Sequence, residues 1–518
     1  MPVSILPPGD YRLAVPAAVT WTVSLLILLG PPLPAWALPV VGGVIVAAGA
    51  IAVRCGWVAW AAVSLVVVAG GMVAVTAAAL AVRDEVRSSH PLSSVDGKAR
   101  VSGVIRDDAV ALGPAAASRV AVRVDVDDVA GHAAAPGAAE LTGASDHWAE
   151  LVPGQRFSVV VRVSPPRRGE LLVARLSAVS QPDLLGRPPP HQRIATVVRD
   201  RLQYLSARGL GPDPAGLLPG LVIGDTSGLS SEVREDFRAA GLTHLVAVSG
   251  SNFAIVCGAA VMAVRMLGAT PRVTVVVGMV MVVCFVILVR PSPSVLRAAM
   301  MGMIALLALW GSRRAQALPA LGAATVVGLL WWPELATEPG FALSVIATGG
   351  LVLWSAALRD RLRGWRVPPG IAELVAMALT AQLVTAPVVA LLSGRFTVVG
   401  VLANVAVAPV VGLIGIVGTA AAIVGALGPP DGVGAMCAEL MIRALAPELW
   451  WMLGCARVLG GQSWSTVPVP SGVAGAAMVA AATVFVLLAV TVTSRAVGDA
   501  RGAGGGRVAW FWHHGRRD

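Results

Sequence analysis

The stretch that decides the fold class is VTVVVGMVMVVCFVILV, residues 273–289, which holds no charged side chain and lies between Arg272 and Arg290. A helix of this length rises about 26 Å, close to the ~30 Å hydrocarbon thickness of a bilayer, so the stretch predicts a membrane span. Comparable apolar runs recur on both sides of it, at residues 15–30, 35–53, 57–82, 243–267, 294–311, 316–333, 341–358, 371–392, 398–427, 434–455 and 473–493.

The composition agrees, because 56% of the 518 residues are hydrophobic and 13% are charged, against about 25% charged in soluble domains. We therefore predict a polytopic α-helical membrane protein with about 10–12 transmembrane helices. Two segments leave the count open. The first precedes Ala-Trp-Ala at 35–37, which is typical of a signal-peptide cleavage site, although an uncut signal anchor is favoured. The segment 434–455 carries Glu439 and Arg443 one helical turn apart and could instead lie flat on the membrane.

Residues 88–182 have a different pattern, in which apolar and polar side chains alternate. Alternation places every second side chain on one face and is typical of a strand with one buried face. Four or five short strands predict a small antiparallel β-barrel, for which an OB fold fits. The alternating runs, separated by turns rich in glycine and proline, are Lys98–Ile105, Arg119–Val126, Phe157–Val163 and Leu171–Val179.

These patterns divide the chain into five parts. Two amphipathic in-plane helices are predicted at 191–208 and 231–240, the second with Ser230 as its N-cap and Gly241 after its end. The five parts are N-terminal transmembrane helices (1–87), an extracytoplasmic OB-like β domain (88–185), amphipathic helices and linker (186–242), a second transmembrane domain (243–495) and a basic cytoplasmic tail (496–518).

The formal net charge of +10 is distributed unevenly. Residues 83–190 hold 13 basic and 13 acidic side chains, whereas residues 191–518 hold 24 basic and 15 acidic ones. The positive-inside rule keeps arginine-rich loops such as Arg359–Arg366 in the cytoplasm. It predicts a multi-pass protein of the cytoplasmic (inner) membrane, with the β domain outside and the C-terminus inside. A basic lining for a polyanion would give the same excess of arginine.

Polar residues cluster where one predicted span enters the membrane, at His244, Ser249, Gly250, Ser251 and Asn252. Polar groups in hydrocarbon cost free energy unless they face protein or water, so the cluster indicates either a lumen or a packing seam between helices. Two charged residues near the predicted membrane faces, Asp225 and Arg297, are also candidates for the lining of such a lumen, and each has an alternative interpretation. Capping of the following helix would explain Asp225, and snorkelling to the surface would explain Arg297.

The stretch GLVIGDTSGLSSEVREDFRAAGLTHLVAVSGSNFAIV, residues 220–256, resembles the signature of the ComEC family of competence proteins. That signature is GD-x-SGL, an amphipathic helix, and then GL-[ST]-HL-x-A-[IV]-SG. Further motifs match in the same order, within about residues 215–412. They are PSVLRA (293–298), PGFALS (339–344), and AQLVTAP (381–387) with GVLANVAVAP (400–409). The β domain occupies the position of that family's extracytoplasmic OB-like domain.

The chain departs from the family pattern at two points. Many members read SGLH where this chain has Ser249-Gly250-Ser251-Asn252, so the role of that histidine is not carried over. The family's common C-terminal metallo-β-lactamase-like nuclease domain has no counterpart, because the seven histidines include no HxHxDH pattern. None of the five cysteines lies in a CxxC pair. We therefore expect no enzymatic activity, no metal and no cofactor.

The two amide motifs repeat the pattern A-[QN]-x-x-x-A-P-V-V on consecutive antiparallel spans joined near Gly394. Counted along helices from that tip, Gln382 and Asn404 are expected about 15–18 Å deep, near the bilayer middle. Pro387 and Pro409 each remove a backbone donor, which predicts broken helices beside the amides. Broken helices with polar groups at midplane are typical of transporter sites, whereas kinked packing helices joined by a Gln–Asn hydrogen bond are the alternative.

The resemblance implies a membrane channel for uptake of single-stranded DNA during natural transformation. The implied partners are single-stranded DNA, membrane lipids, a separate DNA receptor and a cytoplasmic ATP-driven motor, and the chain could form a homo-oligomer. A Walker A motif is excluded, because the one lysine, Lys98, lies in DGKAR without the loop glycines. The predicted translocation path comprises Asp225, His244, Ser249, Ser251, Asn252, Arg297, Gln382 and Asn404.

Two other functions stay open at this point. One is a transporter of a small solute or lipid-linked precursor. The other is an intramembrane hydrolase that would use His244, Ser249 and Asp225. The β domain has no net charge and holds Trp148 and Phe157 as its aromatic residues, which predicts weak binding of single-stranded DNA by that domain alone.

Overall fold

The structure, a computed structural model, describes residues 11–30, 60–112, 119–167, 169–246, 250–310 and 316–485, with scattered positions between 40 and 47. Most of the predicted segment 35–53 and all of the tail 496–518 lie outside these residues. The helices, numbered along the chain, are α1 (Ala14–Leu29), α2 (Trp60–Ser89), α3 (Ser145–Trp148), α4 (Pro190–Gly209), α5 (Pro212–Ile223), α6 (Ser231–Ala239), α7 (Thr243–Val246), α8 (Gly250–Met266), α9 (Pro271–Val289), α10 (Pro293–Trp310), α11 (Ala317–Trp331), α12 (Pro339–Gly364, with a π-turn at Leu351–Ser355), α13 (Pro369–Ser393), α14 (Gly400–Ala426), α15 (Val433–Ala444), α16 (Ala446–Gly460) and α17 (Val473–Phe485).

The membrane character of the helices is clear from their length and composition. Within the described ranges, six helices are long and apolar enough to cross a membrane, namely Val67–Ser89 of α2 together with α9, α10, α12, α13 and α14. Shorter apolar helices accompany them, namely α1, Asn252–Met266 of α8, α11 and α17. The prediction of a polytopic α-helical membrane protein is therefore confirmed.

Two predicted spans differ in detail from the helices that form. The segment 434–455 is two helices, α15 and α16, that meet at Leu445 instead of one continuous helix. Pro447 in the first turn of α16 has no backbone N–H, which favours the start of a new helix at this point. Ile442 and Leu449, on either side of this break, are both fully buried against protein. In the segment 243–267 the structure describes α7 and α8, and residues 247–249 between them lie outside the described residues.

Both predicted amphipathic helices form, as α4 and α6. Ser230 is the N-cap of α6, since its hydroxyl accepts a hydrogen bond from the Val233 backbone N–H at 3.2 Å. Gly241 follows the end of α6 with a φ of 74°, a conformation that side chains with a Cβ rarely adopt. α4 buries Leu202 and Leu205 on its apolar face.

α5 forms where no helix was expected, since its sequence PDPAGLLPGLVI contains three prolines and two glycines. Packing explains it. A Cβ built on Gly220 would lie 3.3 Å from Val246 Cγ1, so the glycine lets α5 approach the signature segment closely. Leu217, Leu218 and Ile223 are fully buried. α5 thus lies inside the large apolar core that α4–α7 form with α14–α16.

The β domain between α2 and α4 is a closed barrel of five strands, β1 (Gly97–Ile105), β2 (Arg119–Val129), β3 (His132–Ala144), β4 (Arg156–Ser164) and β5 (Ala174–Ala178). The strand order is β1-β2-β3-β5-β4, and β4 pairs again with β1 to close the barrel. β3 and β5 run parallel, whereas the other pairs are antiparallel. This is the topology of an OB-like barrel, so the predicted β domain is confirmed.

The barrel interior consists of the alternating side chains that the sequence indicated. Val124, Val161 and Leu141 are fully buried in it. Trp148 and Phe157 lie in the same core, with ring centroids 5.4 Å apart in an edge-to-face arrangement, and neither is more than 1% exposed. Because both rings fill the interior, neither can stack on a nucleic-acid base.

A second, two-stranded sheet lies far along the chain. β6 (Arg395–Thr397), between α13 and α14, pairs antiparallel with β7 (Thr466–Pro468), which follows α16. This pairing attaches the connection between α13 and α14, the helices that carry Gln382 and Asn404, to the segment that follows α16.

Candidate functional site

The signature turn after α5 is organised around Asp225. Its Oδ1 accepts hydrogen bonds from the Ser227 backbone N–H at 3.0 Å and from the Ser227 hydroxyl at 2.7 Å. Its Oδ2 accepts one from the Gln203 amide at 2.5 Å and lies 3.5 Å from Arg199 Nη2. Asp225 therefore does not cap α6, whose N-cap is Ser230. It fastens the signature turn to α4, which carries both Gln203 and Arg199.

Arg199 joins the helical core to the barrel. Its Nη1 donates to the carbonyl oxygens of Ile223 at 3.0 Å and Leu288 at 3.2 Å, at the ends of α5 and α9. Its Nη2 lies 3.7 Å from Asp108 Oδ2 in the loop after β1. Arg290 Nε donates to the same Asp108 oxygen at 3.0 Å. One carboxylate of the barrel is thus shared by two arginines of the helical part.

These groups line a cavity of about 420 Å³ between the barrel, α4 and the connection from α9 to α10. Burial raises the pKa of the Asp107 carboxyl, and the neighbouring Arg123 and Arg106 act in the opposite direction. Burial also lowers the pKa of Arg290, against the effect of Asp108. Three arginines and two aspartates line this cavity, and the pairing of Arg199 and Arg290 with Asp108 holds the barrel against the helices.

Gly241 connects the signature to the amide motifs. A Cβ built on it would lie 3.2 Å from Thr397 Cγ2 and 3.3 Å from the Gly400 Cα. The close approach and the positive φ both require glycine at this position. The end of α6 therefore packs directly on the residues that open α14.

The polar cluster of the signature is only partly within the described residues. Asn252, 3% exposed, donates from Nδ2 to the Leu221 carbonyl oxygen of α5 at 3.2 Å. The His244 side chain hydrogen-bonds to the backbone of Gly241. Ser249 lies outside the described residues, as does the side chain of Ser251. Asp225 and His244 have different partners, so no Asp–His pair is assembled in the part of the chain that the structure describes.

Arg297 lies one turn into α10 and is 6% exposed. Its Nε donates to the Ser344 hydroxyl at 2.6 Å and its Nη1 to the Met301 sulfur at 3.1 Å. A Cβ built on Gly250 would lie 2.5 Å from Nη2, so the guanidinium rests against the glycine that opens α8. Arg297 forms no ion pair with any described residue. It does not snorkel to the surface, because its charge is held between helices.

The amides bond to main chain instead of to each other. Gln382 Nε2 donates to the Thr397 carbonyl oxygen at 3.0 Å, and Asn404 Nδ2 donates to the Gly400 carbonyl oxygen at 2.7 Å. The predicted equal depth of the two amides in the membrane stays a prediction, and counting helical residues from Gly394 does not fix it. β6 returns beside α13 in an extended conformation, which advances about 3.3 Å per residue where a helix advances 1.5 Å. A Cβ on Gly400 would lie 2.9 Å from Gln382 Oε1, so Gly400 is the residue level with that amide.

The expected broken helices are also wrong. α13 continues through Pro387, and α14 continues through Pro409. Each proline still leaves one carbonyl without its usual helical donor, those of Leu383 and Val405, because proline has no N–H. The helices tolerate this, since neighbouring helices pack along both of them.

The contacts bring together motifs that lie far apart in the sequence. Sequence reasoning identified Asp225, Asn252 and Arg297 but missed Asp108, the barrel residue to which Arg199 and Arg290 bind. Arg290 and Asp108 are separated by 182 residues, and a periodicity search gives no signal for such a pair. Asn252 donates a hydrogen bond to Leu221, and Arg297 contacts both Gly250 and Ser344. Gly400 contacts both Gly241 and Gln382.

Among the described residues, no group of three or more histidine, cysteine, aspartate or glutamate side chains is placed to hold a metal ion. The described cysteines are free, and Cys257 is buried in the helical part. The polar groups gathered here are suited to hydrogen bonding and charge pairing.

Comparisons with known proteins agree with this arrangement. A family profile described as "Competence protein" matches residues 221–495, more than half of the chain. "ComE operon protein 3" of Bacillus subtilis (strain 168) is 28% identical over 200 residues, which is 39% of this chain and a quarter (25%) of that protein's length. No solved structure matches. The family profile begins in α5 and takes in every linked motif, and the chain belongs to the Competence protein family.

Proposed function

We propose that this chain takes part in DNA uptake during natural transformation, as a membrane channel that conducts single-stranded DNA across the cytoplasmic membrane. The observation that carries the proposal is the convergence of the family motifs. Segments spread over nearly 200 residues meet at buried polar groups, of which Arg297 is charged and has no carboxylate partner among the described residues.

A nucleic-acid strand needs such a path for a physical reason. Phosphate charges cannot enter hydrocarbon bare, so the strand must pass between helices along polar groups and water. The path of the proposal is lined by Asp225, His244, Ser249, Ser251, Asn252, Arg297, Gln382 and Asn404. Asp225 contributes to this lining by holding the signature turn in place, since both of its carboxylate oxygens bind Gln203, Ser227 or Arg199.

In this proposal, partner proteins supply the energy for transport and deliver the DNA. The chain contains no Walker A lysine, so an ATP-driven motor on the cytoplasmic side pulls the strand. A separate receptor delivers DNA to the outer face, because the aromatic rings of the barrel are buried in its core. Membrane lipids surround the apolar helices. A homo-oligomer is compatible with the same path.

The orientation of the proposal places the barrel outside and the connection between α12 and α13 inside. In a variant without native cysteines, Ala135→Cys on the exposed side of β3 should react with an impermeant thiol reagent in intact cells. Arg363→Cys, equally exposed but on the arginine-rich side, should react only after the cells are permeabilised. The reverse pattern would contradict the orientation.

The function is tested by following labelled DNA into cells. A deletion strain should bind labelled DNA at its surface and leave it sensitive to added nuclease, whereas the strain carrying the restored gene should accumulate nuclease-resistant label on one strand in the cytoplasm. Nuclease-resistant cytoplasmic label at the normal level in the deletion strain would refute the channel. It would leave a solute or precursor transporter as the function to examine.

A further inference from the structure

We propose that Arg297 binds a backbone phosphate of the strand in transit, through the Nη2 edge of its guanidinium beside Gly250. The inference rests on the proposed function and adds to it the atom that contacts the substrate and the substrate group that it recognises, a phosphodiester oxygen.

The first observation is the incomplete bonding of the buried side chain. Nε and Nη1 have partners in Ser344 and Met301, whereas Nη2 has no acceptor among the described residues. A guanidinium has five N–H donors, so this edge keeps donors for a ligand. A buried charge without an opposite charge is costly, and a passing anion would offset that cost.

The contrast with two other buried arginines supports the assignment. Arg199 is 12% exposed at its side chain and Arg290 is 13% exposed, so both are nearly as enclosed as Arg297. Each of them pairs with the Asp108 carboxylate, and Arg199 pairs with Asp225 as well. Their charges are compensated within the protein. The charge of Arg297 has no such partner among the described residues, and an anion from outside the protein would supply one.

The second observation is the geometry on either side of the guanidinium. Ser344 holds Nε at 2.6 Å, which fixes the plane of the fork and directs Nη2 toward the start of α8. At that point stands Gly250, and any Cβ there would lie 2.5 Å from Nη2. Any side chain at this position would therefore press on Nη2, and glycine avoids that contact. Nη2 belongs to a cationic group, so it favours a charged phosphodiester oxygen over a neutral acceptor.

The test uses the full-length protein in detergent micelles without added phospholipid, and a fluorescent single-stranded oligothymidylate. Binding is measured over a range of salt concentrations. Each phosphate contact on a single strand adds about 0.7 to the slope of log affinity against log salt, so Arg297→Met should reduce that slope by about 0.7 and weaken binding about tenfold. Arg208→Met, which removes an exposed and carboxylate-paired arginine of α4, is the matched control and should leave the slope near that of the wild type.

Two further variants guard against a folding defect. Gly250→Ala keeps the arginine but covers Nη2, and it should weaken the phosphodiester strand while leaving a methylphosphonate strand, which lacks the backbone charge, bound as in the wild type. Arg297→Lys should recover part of the salt slope because it restores a charge without the fork. An unchanged slope in Arg297→Met, with salt-dependent binding by the wild type, would overturn the phosphate contact and leave the channel standing. Binding of the oligonucleotide by the wild type without any salt dependence would overturn both.

Discussion

Replacing Arg199 by methionine should destabilise the protein far more than replacing a surface arginine of the same helix. Arg199 donates two hydrogen bonds to carbonyl oxygens that end α5 and α9, at 3.0 and 3.2 Å, and it pairs with Asp225 and Asp108. The side chains of Arg199 and Asp225 are 12% and 16% exposed, so solvent screens their attraction weakly. The variant would leave a carboxylate and two carbonyls short of a donor.

The magnitude follows from that burial. Removing one partner of a buried pair costs about 3–5 kcal/mol, and we expect about 3 kcal/mol here because both side chains keep some contact with water. Arg208 on the same helix is the matched control. It pairs with Asp431 at 3.1 Å, but the two side chains are 46% and 81% exposed, and a pair of that kind contributes at most about 1 kcal/mol.

The assay is denaturant-induced unfolding in mixed micelles, followed by tryptophan fluorescence, for Arg199→Met, Arg208→Met and Asp225→Asn. We expect the free energy of unfolding to fall by about 3 kcal/mol for Arg199→Met and by less than about 1 kcal/mol for Arg208→Met. The double variant of Arg199 and Asp225 should cost less than the sum of the two single changes, since the residues share one interaction. Equal losses for the two arginine variants, or strict additivity in the cycle, would refute the assignment of Arg199 as the junction residue.

Three other predictions follow from the barrel and the amides. The isolated barrel, residues 88–182, should fold and bind single-stranded DNA only weakly, and sub-micromolar affinity at physiological salt in a fluorescence titration would contradict this. Gln382→Leu with Asn404→Leu should abolish DNA entry at normal protein abundance if both amides line a lumen, whereas normal entry would remove them from the path. Burial raises the pKa of Asp107 in the folded state, so its ionisation disfavours folding at neutral pH and its protonated form is favoured at low pH. Asp107→Asn should therefore raise the melting temperature at pH 7.5 relative to wild type and lose that advantage as the pH falls toward 3.8, the ordinary value for aspartate; an equal gain at both pH values would contradict the burial argument.

The sequence predicted the elements whose signals are local. Alternating valines such as Val122 and Val124 indicated a barrel strand, because the side-chain period of a strand is two. Ser230 indicated the start of α6, because its hydroxyl can satisfy a free backbone donor. The ends of most apolar helices were predicted within a few residues for the same reason, since charge and proline bound them locally.

Elements held by tertiary packing were not predicted. α5 is rich in proline and glycine, and it is helical because Gly216 and Gly220 allow close approach to the segments beside them. β3 is rich in alanine and carries little alternation, and it forms because β2 pairs with it along nearly its whole length. The extended strand β6 before Gly400 was not predicted either, since the count from Gly394 to Asn404 assumed a helix throughout. Propensity and periodicity report on neighbours along the chain, whereas α5 and β3 depend on contacts with residues that are distant in sequence.

The site residues likewise divide into those with a local sequence signal and those that depend on tertiary contacts. Arg297 and Asn252 could be chosen because polar groups in an apolar segment are rare and need a reason. Their partners Ser344 and Leu221 could not be chosen, since each lies on another helix. The shared carboxylate of Asp108 was invisible to sequence reasoning, because it belongs to a domain whose contact with the helices is set by the fold.

The chain enters and leaves the barrel through strands that lie on either side of β4. β1 and the two-residue strand Asp183–Leu184 pair with β4 on opposite edges, and both meet it at Ser158. The chain enters the barrel at Gly97, opposite Val163, and leaves it at Asp183, opposite Ser158. The two ends are therefore two strand spacings apart across the sheet and five residues apart along β4, about 19 Å in all. Domains with adjacent ends can be inserted into or removed from a host at small entropic cost. A linker of about six extended residues would span the distance between the two ends of the barrel.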